Sequence, residues 1–111
     1  MRSQASWNGV AYGSYPAGAA EPVVAKITIP ARKEPAWLSH PMPRFAYVLS
    51  GGITVEDDQG NKKQFMSGEV MPETVHIAYG GLVGDQPATV IVFYTGTKGM
   101  PLSQPASASG K

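Results

Sequence analysis

The sequence contains no cysteine, so disulfide bonds and thiolate metal sites are excluded, and the redox compartment stays open. Charged residues are also few, at 15% of the 111 residues, and the net charge is +1. They form no basic stripe of the kind that nucleic-acid-binding proteins carry, so we expect no nucleic-acid partner. No apolar run approaches the roughly 18 residues that a membrane helix needs, so we expect no membrane partner either.

The N-terminus "MRSQASWNGV" lacks the apolar core of a secretory signal. A cleaved signal would leave no trace, so the compartment stays open, with a cytoplasmic location as the expectation for the chain as given. The length of 111 residues fits one domain. Its 13 glycines and 10 prolines lie between short apolar runs, and this distribution predicts many turns and short strands.

Short alternating segments predict β-strands along most of the chain. In "PVVAKITIP" (22–30), four apolar residues share one strand face, namely Val23, Ala25, Ile27 and Ile29. Further strands are predicted in "AWLSH" (36–40), "RFAYVLS" (44–50), "GGITVED" (51–57), "KKQF" (62–65), "EVMPETVHIAY" (69–79, two strands or one bent by Pro72) and "ATVIVFY" (88–94). No segment shows a sustained 3.6-residue period, so the sequence predicts an all-β sandwich or barrel.

Composition divides the chain into three regions. Residues 1–20 are rich in Gly, Ala, Ser and Tyr and are predicted to be an N-terminal arm, with an edge strand near "VAYGSY" (10–15). Residues 21–102 are predicted to form the barrel, and residues 103–111 a flexible, low-complexity tail. Two connections are also predicted: a hairpin turn "DDQGN" (57–61), in which Gly60-Asn61 suits positive φ, and a loop "GGLVGDQP" (80–87).

The run "PAWLSHPMPRFAYVLSGGITVEDDQG", followed by "SGEV", resembles the small single-domain cupins. The resemblance extends from about Val23 to Leu102 and implies a single cupin-type, RmlC-like jelly-roll β-barrel. Cupins usually hold a divalent metal with three His and one Glu, and open coordination positions admit substrate or dioxygen. In the first motif these positions fall on Leu38, His40 and Arg44, so only one of the three ligands is kept.

The second cupin motif, which reads Gly, five residues, Pro-x-Gly and then His, is also incomplete. After Gly68 the chain reads "EVMPETVH", with no glycine before His76. Anchoring the alignment on the histidine puts His76 at the ligand position, whereas anchoring it on the downstream "GDQP" puts Ala78 there. These two residues lie two apart on one strand face, so an inward-pointing His76 is compatible with both alignments.

Arg44 shares a strand face with Ala46 and Val48. If that face looks into the barrel, a guanidinium occupies the space of the usual cation, and bringing Zn²⁺ or Fe²⁺ close to it would cost several kcal/mol. A buried arginine also needs a partner. In a functional role, Arg44 would bind a carboxylate or phosphate ligand through its planar guanidinium. In a structural role, it would either point out of the barrel mouth or pair with one of three acidic residues, namely Glu73, Glu69 or Glu34.

The favoured function is binding of a small anionic or polar organic molecule in the barrel, without the standard metal. Arg44 would be the charge anchor, His40 and His76 would fix the orientation, and three residues would supply an apolar wall, namely Leu38, Ala46 and Val48. A metal-free isomerase or lyase that uses a histidine as general base is compatible with the same site, so whether the protein is an enzyme stays open.

Two alternatives stay open. In the first, a metal-dependent cupin enzyme of dioxygenase or isomerase type uses His40, His76 and an unrecognised third ligand such as Glu73 to bind a divalent transition metal such as Zn, Fe, Mn or Ni. In the second, the chain is a non-catalytic dimeric structural module with an inert cavity. The resemblance implies pairing through an exchanged strand or arm, and residues 1–20 suit that role, so a homodimer is expected.

Overall fold

Antiparallel strands account for all the regular secondary structure in the described part of the chain. The computed structural model describes residues 1–33 and 36–106. Within these ranges nine strands and no helix occur, so the described residues include no helix with the length and hydropathy to cross a membrane. The strands are β1 (Ala20–Ile29), β2 (Leu38–Ser39), β3 (Arg44–Ser50), β4 (Gly52–Asp57), β5 (Lys62–Met66), β6 (Val70–Glu73), β7 (Tyr79–Leu82), β8 (Ala88–Thr97) and β9 (Gln104–Pro105).

The strands form two sheets whose apolar faces share one core. One sheet has the order β1-β8-β3-β6 and the other the order β5-β4-β7-β2-β9. Strand β8 lies between β1 and β3, so strands far apart in sequence become neighbours. Its residues alternate between buried and less buried positions, as expected for a strand with one face in a core. The inward-facing core residues include Ala46, Val48, Ile53, Val55, Phe65, Val90 and Val92. The all-β prediction is confirmed.

The structure decides one alternative that the sequence left open, and two other sequence predictions differ from it in detail. The segment 69–79 forms two strands, β6 and β7, because the backbone between them turns at His76, whose φ is 59°. Strand β7 takes in Gly80 to Leu82, so the loop predicted from residue 80 begins later. In the hairpin turn Gly60 has a φ of 85°, but Asn61 does not have positive φ and instead donates hydrogen bonds to Asp57.

The N-terminal arm packs against the barrel of its own chain. In place of the edge strand predicted near 10–15, the structure has an isolated bridge between Ala5 and Ala11. The backbone N–H of Trp7 donates a hydrogen bond to the Pro72 carbonyl at 2.9 Å. The Trp7 ring lies against Phe65 and Tyr79, with centroid distances of 6.2 and 6.1 Å. The arm therefore packs against the core of its own chain in this structure, and arm exchange between two chains stays a prediction.

Several large apolar side chains are exposed on the outer face of the four-stranded sheet. Val24 is 61% exposed, and its cross-strand neighbour Phe93 is 43% exposed. Tyr47 and Leu49 on β3 are exposed as well. Clustered apolar surface is typical of interaction faces. Homodimerisation stays a prediction, as does the flexibility of the tail, of which residues 107–111 lie outside the described part of the chain.

Asp57 connects the arm to the β4–β5 hairpin. The residue is 1% exposed, and its carboxylate accepts hydrogen bonds from the side chains of Asn8 and Asn61, both at 2.9 Å. The backbone N–H groups of Gln59 and Asn61 donate to its other oxygen. Burial alone would raise the pKa of Asp57, but these hydrogen bonds outweigh burial and hold the pKa below its ordinary value.

We expect Asp57→Asn to lower the free energy of unfolding by about 2 kcal/mol or more, because an amide nitrogen would replace an acceptor for several donors. Urea titration followed by circular dichroism measures this loss. The matched control is Asp58→Asn. In the described part of the chain, the Asp58 carboxylate accepts two long hydrogen bonds of 3.4 Å, from Ala78 and Gln59, so this variant should change stability much less. Equal effects of the two variants would contradict the role given to Asp57.

Candidate functional site

A cavity of about 230 Å³ lies between the two sheets. It is smaller than the roughly 300–1,000 Å³ of sites for drug-sized ligands, but larger than the about 150 Å³ that holds benzene in an engineered protein core. Its apolar wall includes Ile27, Ile29, Leu38, Ile53, Val55 and Val90. Its polar wall includes His40, Arg44, Glu73, Tyr79 and Tyr94. The cavity therefore suits a small molecule with an apolar part and one polar end.

Arg44, Glu73 and His40 meet on one part of the cavity wall. Arg44 and Glu73 are cross-strand partners on β3 and β6, and Arg44 Nε lies 3.4 Å from Glu73 Oε1. The guanidinium also lies over the Tyr94 ring, 5.3 Å from its centroid, and this cation–π contact helps to hold it. Of the two candidate acidic partners that the structure describes, Glu73 is the one in contact with Arg44. The Glu69 carboxylate instead accepts from the Met66 N–H, and Glu34 lies outside the described residues.

His40 is neutral, and its two ring nitrogens are both engaged. A guanidinium can only donate, so Arg44 Nη1 donates to His40 Nε2 at 2.8 Å. The hydrogen of the ring is then on Nδ1, which donates to the Leu102 carbonyl at 3.0 Å. Burial, assisted by the nearby Arg44 charge, lowers the pKa of His40 from 6.5 to about 4. The 3.7 Å approach of Nε2 to Glu73 is therefore not an ion pair at neutral pH.

Glu73 is 3% exposed, and burial raises the pKa of its carboxyl group. The Arg44 charge opposes this shift without cancelling it. Burial raises the pKa of Tyr12 on the N-terminal arm to about 12, and Tyr79 and the Glu73 charge add smaller contributions. Glu73 is thus an acid whose protonation is set by the cavity environment.

The structure separates the second-motif candidates from the cavity. His76 is exposed, and although its N–H donates to the His40 carbonyl, it does not line the cavity. Counted from Gly68, the second glycine of the cupin motif falls on residue 76, and the φ of 59° there is one that glycine adopts easily. Ala78 is buried but also does not line the cavity. A backbone constraint therefore governs position 76.

Tyr79 is the residue that faces the cavity where the second-motif ligand was expected. It is the cross-strand partner of Leu38, and both line the cavity. Its hydroxyl group accepts from the Thr74 N–H and donates to Asn8 Oδ1, each at 3.2 Å. Burial is the largest cause that raises the pKa of Tyr79 to about 12. Sequence reasoning missed Tyr79, because the two alignments put His76 or Ala78 at the ligand position.

The apolar wall differs in part from the predicted one. Leu38 lines the cavity together with His40, as predicted from their two-residue spacing in an extended segment. Ala46 and Val48 share the inward face of β3 with Arg44, but they are buried in the core and do not line the cavity. Residues on β1 and β4 take that place, because those strands run beside the open part of the core.

The residues present do not fit the metal site that the resemblance implies. Across residues 1–33 and 36–106, no group of three or more His, Cys, Asp or Glu side chains is placed to hold a metal ion. Leu38 and Arg44 occupy two of the first-motif ligand positions, and the Nε2 lone pair of His40 accepts from Arg44. The alternative ligand pair of His40 and His76 is not assembled, since one side chain is buried and the other is exposed.

No protein-family profile matches the sequence, and no curated protein matches it. Solved structures do match. The DMSP lyase DddQ from Ruegeria pomeroyi DSS-3 is 13% identical with a TM-score of 0.70, covering 81% of this chain and 45% of that one. An RmlC-like cupin from Shewanella frigidimarina NCIMB 400 is 20% identical with a TM-score of 0.62, covering 71% and 69% of the two chains.

The polyketide cyclase RemF from Streptomyces resistomycificus is 16% identical with a TM-score of 0.65, covering 79% of this chain and 64% of that one. Because the match covers 45% of the DMSP lyase DddQ, this chain spans less than half the length of that lyase. At these identities the likeness concerns the fold, and with the two-sheet arrangement it establishes a small cupin-type β-barrel. The predicted jelly-roll architecture is confirmed.

We expect the free energy of unfolding to fall as the pH drops from 6.5 to 4. The unfolded chain takes up a proton on His40 in this window, whereas the folded chain excludes it until the pH reaches about 4. The stabilisation is fully present above pH 6.5, and its loss amounts to roughly 3 kcal/mol at most. Glu73, with a raised pKa, contributes with the opposite sign.

Comparison with His40→Gln isolates the histidine, because this variant removes its titration and keeps Glu73. Denaturant titrations at a series of pH values should show a weaker acid-side loss for His40→Gln than for the wild type. The matched control is His76→Asn, which removes the exposed histidine and tolerates the left-handed backbone at position 76. If His40→Gln and the wild type lose stability in parallel, His40 is not held neutral in the fold.

Proposed function

Because the chain has a cupin-type fold with a cavity between its two sheets, we propose that it binds a small anionic or polar organic molecule there, with Arg44 as the charged contact. The observation that supports this proposal most directly is that Arg44, Glu73 and His40 converge on one part of an otherwise apolar cavity wall. Apolar surface supplies binding energy, and a few convergent polar groups give orientation.

Arg44 retains hydrogen-bonding capacity for a ligand. One donor is used by His40. The Nε atom is buried and has no hydrogen-bond partner among the described residues, although Glu73 Oε1 lies 3.4 Å away. A buried donor without an acceptor costs about 1–3 kcal/mol, so a ligand oxygen that approached it would remove that cost. The planar guanidinium suits two adjacent acceptor oxygens, as in a carboxylate.

The charge of the cavity supports an anionic guest. Glu73 offsets the charge of Arg44 only when it is ionised, and burial favours its neutral form. His40 carries no charge at neutral pH, and exposed Lys33 contributes a second cation to the cavity wall. An anion therefore meets two cations, Arg44 and Lys33, beside one carboxyl group whose pKa is raised by burial.

The similar structures support a cavity that handles small organic molecules, since two of them are a lyase and a cyclase. Their reactions do not transfer to this chain through the fold, because one fold hosts many chemistries. The residues on this cavity wall are therefore the basis for choosing the ligand class.

We expect small carboxylates to raise the melting temperature of the wild type. A panel of acetate, 2-oxobutanoate, succinate and benzoate, each with its neutral amide, separates charge from shape. Ligand at 100 times its Kd stabilises by about 2.7 kcal/mol. Arg44→Met should abolish the stabilisation, and Arg44→Lys should weaken it, because an ammonium lacks the planar fork.

The matched control is Arg32→Met, because Arg32 is exposed and pairs with Asp85 outside the cavity. This variant should keep the full response. Circular dichroism establishes that the Arg44 variants are folded before they are compared. The proposal is wrong if no carboxylate stabilises the wild type, or if folded Arg44→Met responds as strongly as the wild type.

A further inference from the structure

Glu73 is the cavity group best placed to accept a proton from a bound molecule. The ring nitrogens of His40 are both engaged, so the histidine cannot serve as the base without breaking its contact with Arg44. The Tyr79 hydroxyl is held by Thr74 and Asn8. Glu73 lines the cavity, and its two close neighbours, Arg44 Nε at 3.4 Å and His40 Nε2 at 3.7 Å, make no hydrogen bond to it.

The base and the cation occupy adjacent positions. Glu73 and Arg44 are cross-strand partners, so their side chains leave the sheet on the same face and reach the same part of the cavity. A substrate carbonyl oxygen that accepts from Arg44 Nε would place the carbon beside the carbonyl group, C3, near the Glu73 carboxylate. A donor aimed at the place where negative charge develops is the usual means of stabilising an enolate.

We infer that the cavity catalyses proton transfer at the carbon beside the carbonyl group of a small 2-oxo carboxylate, with Glu73 as the base and Arg44 as the contact for the enolate oxygen. This inference rests on the proposed function. The carbonyl and carboxylate oxygens of such a molecule are adjacent, so both can accept from one guanidinium. Its alkyl chain would lie against the apolar wall formed by β1 and β4.

The proposed step conserves atoms and electrons. The C3–H bond breaks, and its proton forms a bond to a Glu73 carboxylate oxygen. The electron pair of that bond becomes the C2–C3 double bond, while the carbonyl π pair moves to oxygen and is paired with Arg44. Return of a proton from Glu73 to C3 restores the 2-oxo acid, so no oxidant, reductant or second substrate is needed.

The surroundings of Glu73 suit this role. Arg44 and His40 face it from the cavity side, and Tyr12 on the arm and Tyr79 on β7 are near enough to sense its charge. Burial raises the pKa of the carboxyl group, which makes its ionised form a stronger base than an exposed glutamate.

The test uses the full chain with 2-oxobutanoate in D₂O, and proton NMR follows exchange of the C3 hydrogens. Wild type should accelerate exchange over buffer, and Glu73→Gln should lose the acceleration by a factor on the order of 100. Glu73→Asp keeps the charge but withdraws it by one methylene, so it should bind the probe and exchange it more slowly. The matched control Glu69→Gln alters an exposed glutamate at the preceding turn and should exchange like the wild type.

Binding of 2-oxobutanoate is measured by thermal shift on the same samples, so the two proposals fail separately. Binding by the wild type without exchange overturns the catalytic role and leaves the binding function standing. Exchange by folded Glu73→Gln at the wild-type rate also overturns it, as does binding of other carboxylates but not of 2-oxobutanoate. If no carboxylate binds at all, the proposed function fails, and this inference fails with it.

Discussion

The facing positions of Arg44 and Glu73 across β3 and β6 are the constraint on which the cavity depends. Two ionisable groups in an apolar core are tolerated only when they meet each other, and removing one partner of such a pair typically costs about 3–5 kcal/mol. Arg44 then donates to His40, which forces the imidazole into one tautomer and leaves its other nitrogen to hold the Leu102 carbonyl. The pair thereby also ties the segment after β8 to the barrel.

The opposite side of the cavity depends on the N-terminal arm. Tyr79 presents its ring to the cavity, while its hydroxyl donates to Asn8. Asn8 also donates to buried Asp57 at the end of β4. The arm is therefore part of the structure that orients a cavity residue, and its packing against the barrel closes the core from that side. Substitutions in the arm that remove the Asn8 contact should therefore alter the orientation of the Tyr79 side chain on the cavity wall.

Local signals in the sequence were sufficient to predict the all-β class, and the resemblance to the cupins supplied the jelly-roll architecture. Alternation in 22–30, 44–50 and 88–94 reports which face of a strand is buried, and the Gly and Pro residues between such runs mark the turns. The resemblance also singled out Leu38, His40 and Arg44 as the first-motif positions, and the structure has them on the cavity wall. Sequence reasoning failed at His76, because a left-handed backbone turns that residue out of the strand alternation.

That Glu73 faces Arg44 was beyond sequence reasoning, since it depends on the register between β6 and β3. Sequence reasoning also could not show that Tyr79 lies opposite Leu38. Nor could it show that residues of β1 and β4, and not Ala46 and Val48, form the apolar wall. What the sequence by itself determined was the all-β class and the strand faces, because these follow from residue type and spacing, while its resemblance to the cupins revealed the loss of the usual ligand residues. Only the tertiary structure decided which charges meet and which nitrogens stay free, because cross-strand register and burial bring together residues that are distant in the chain.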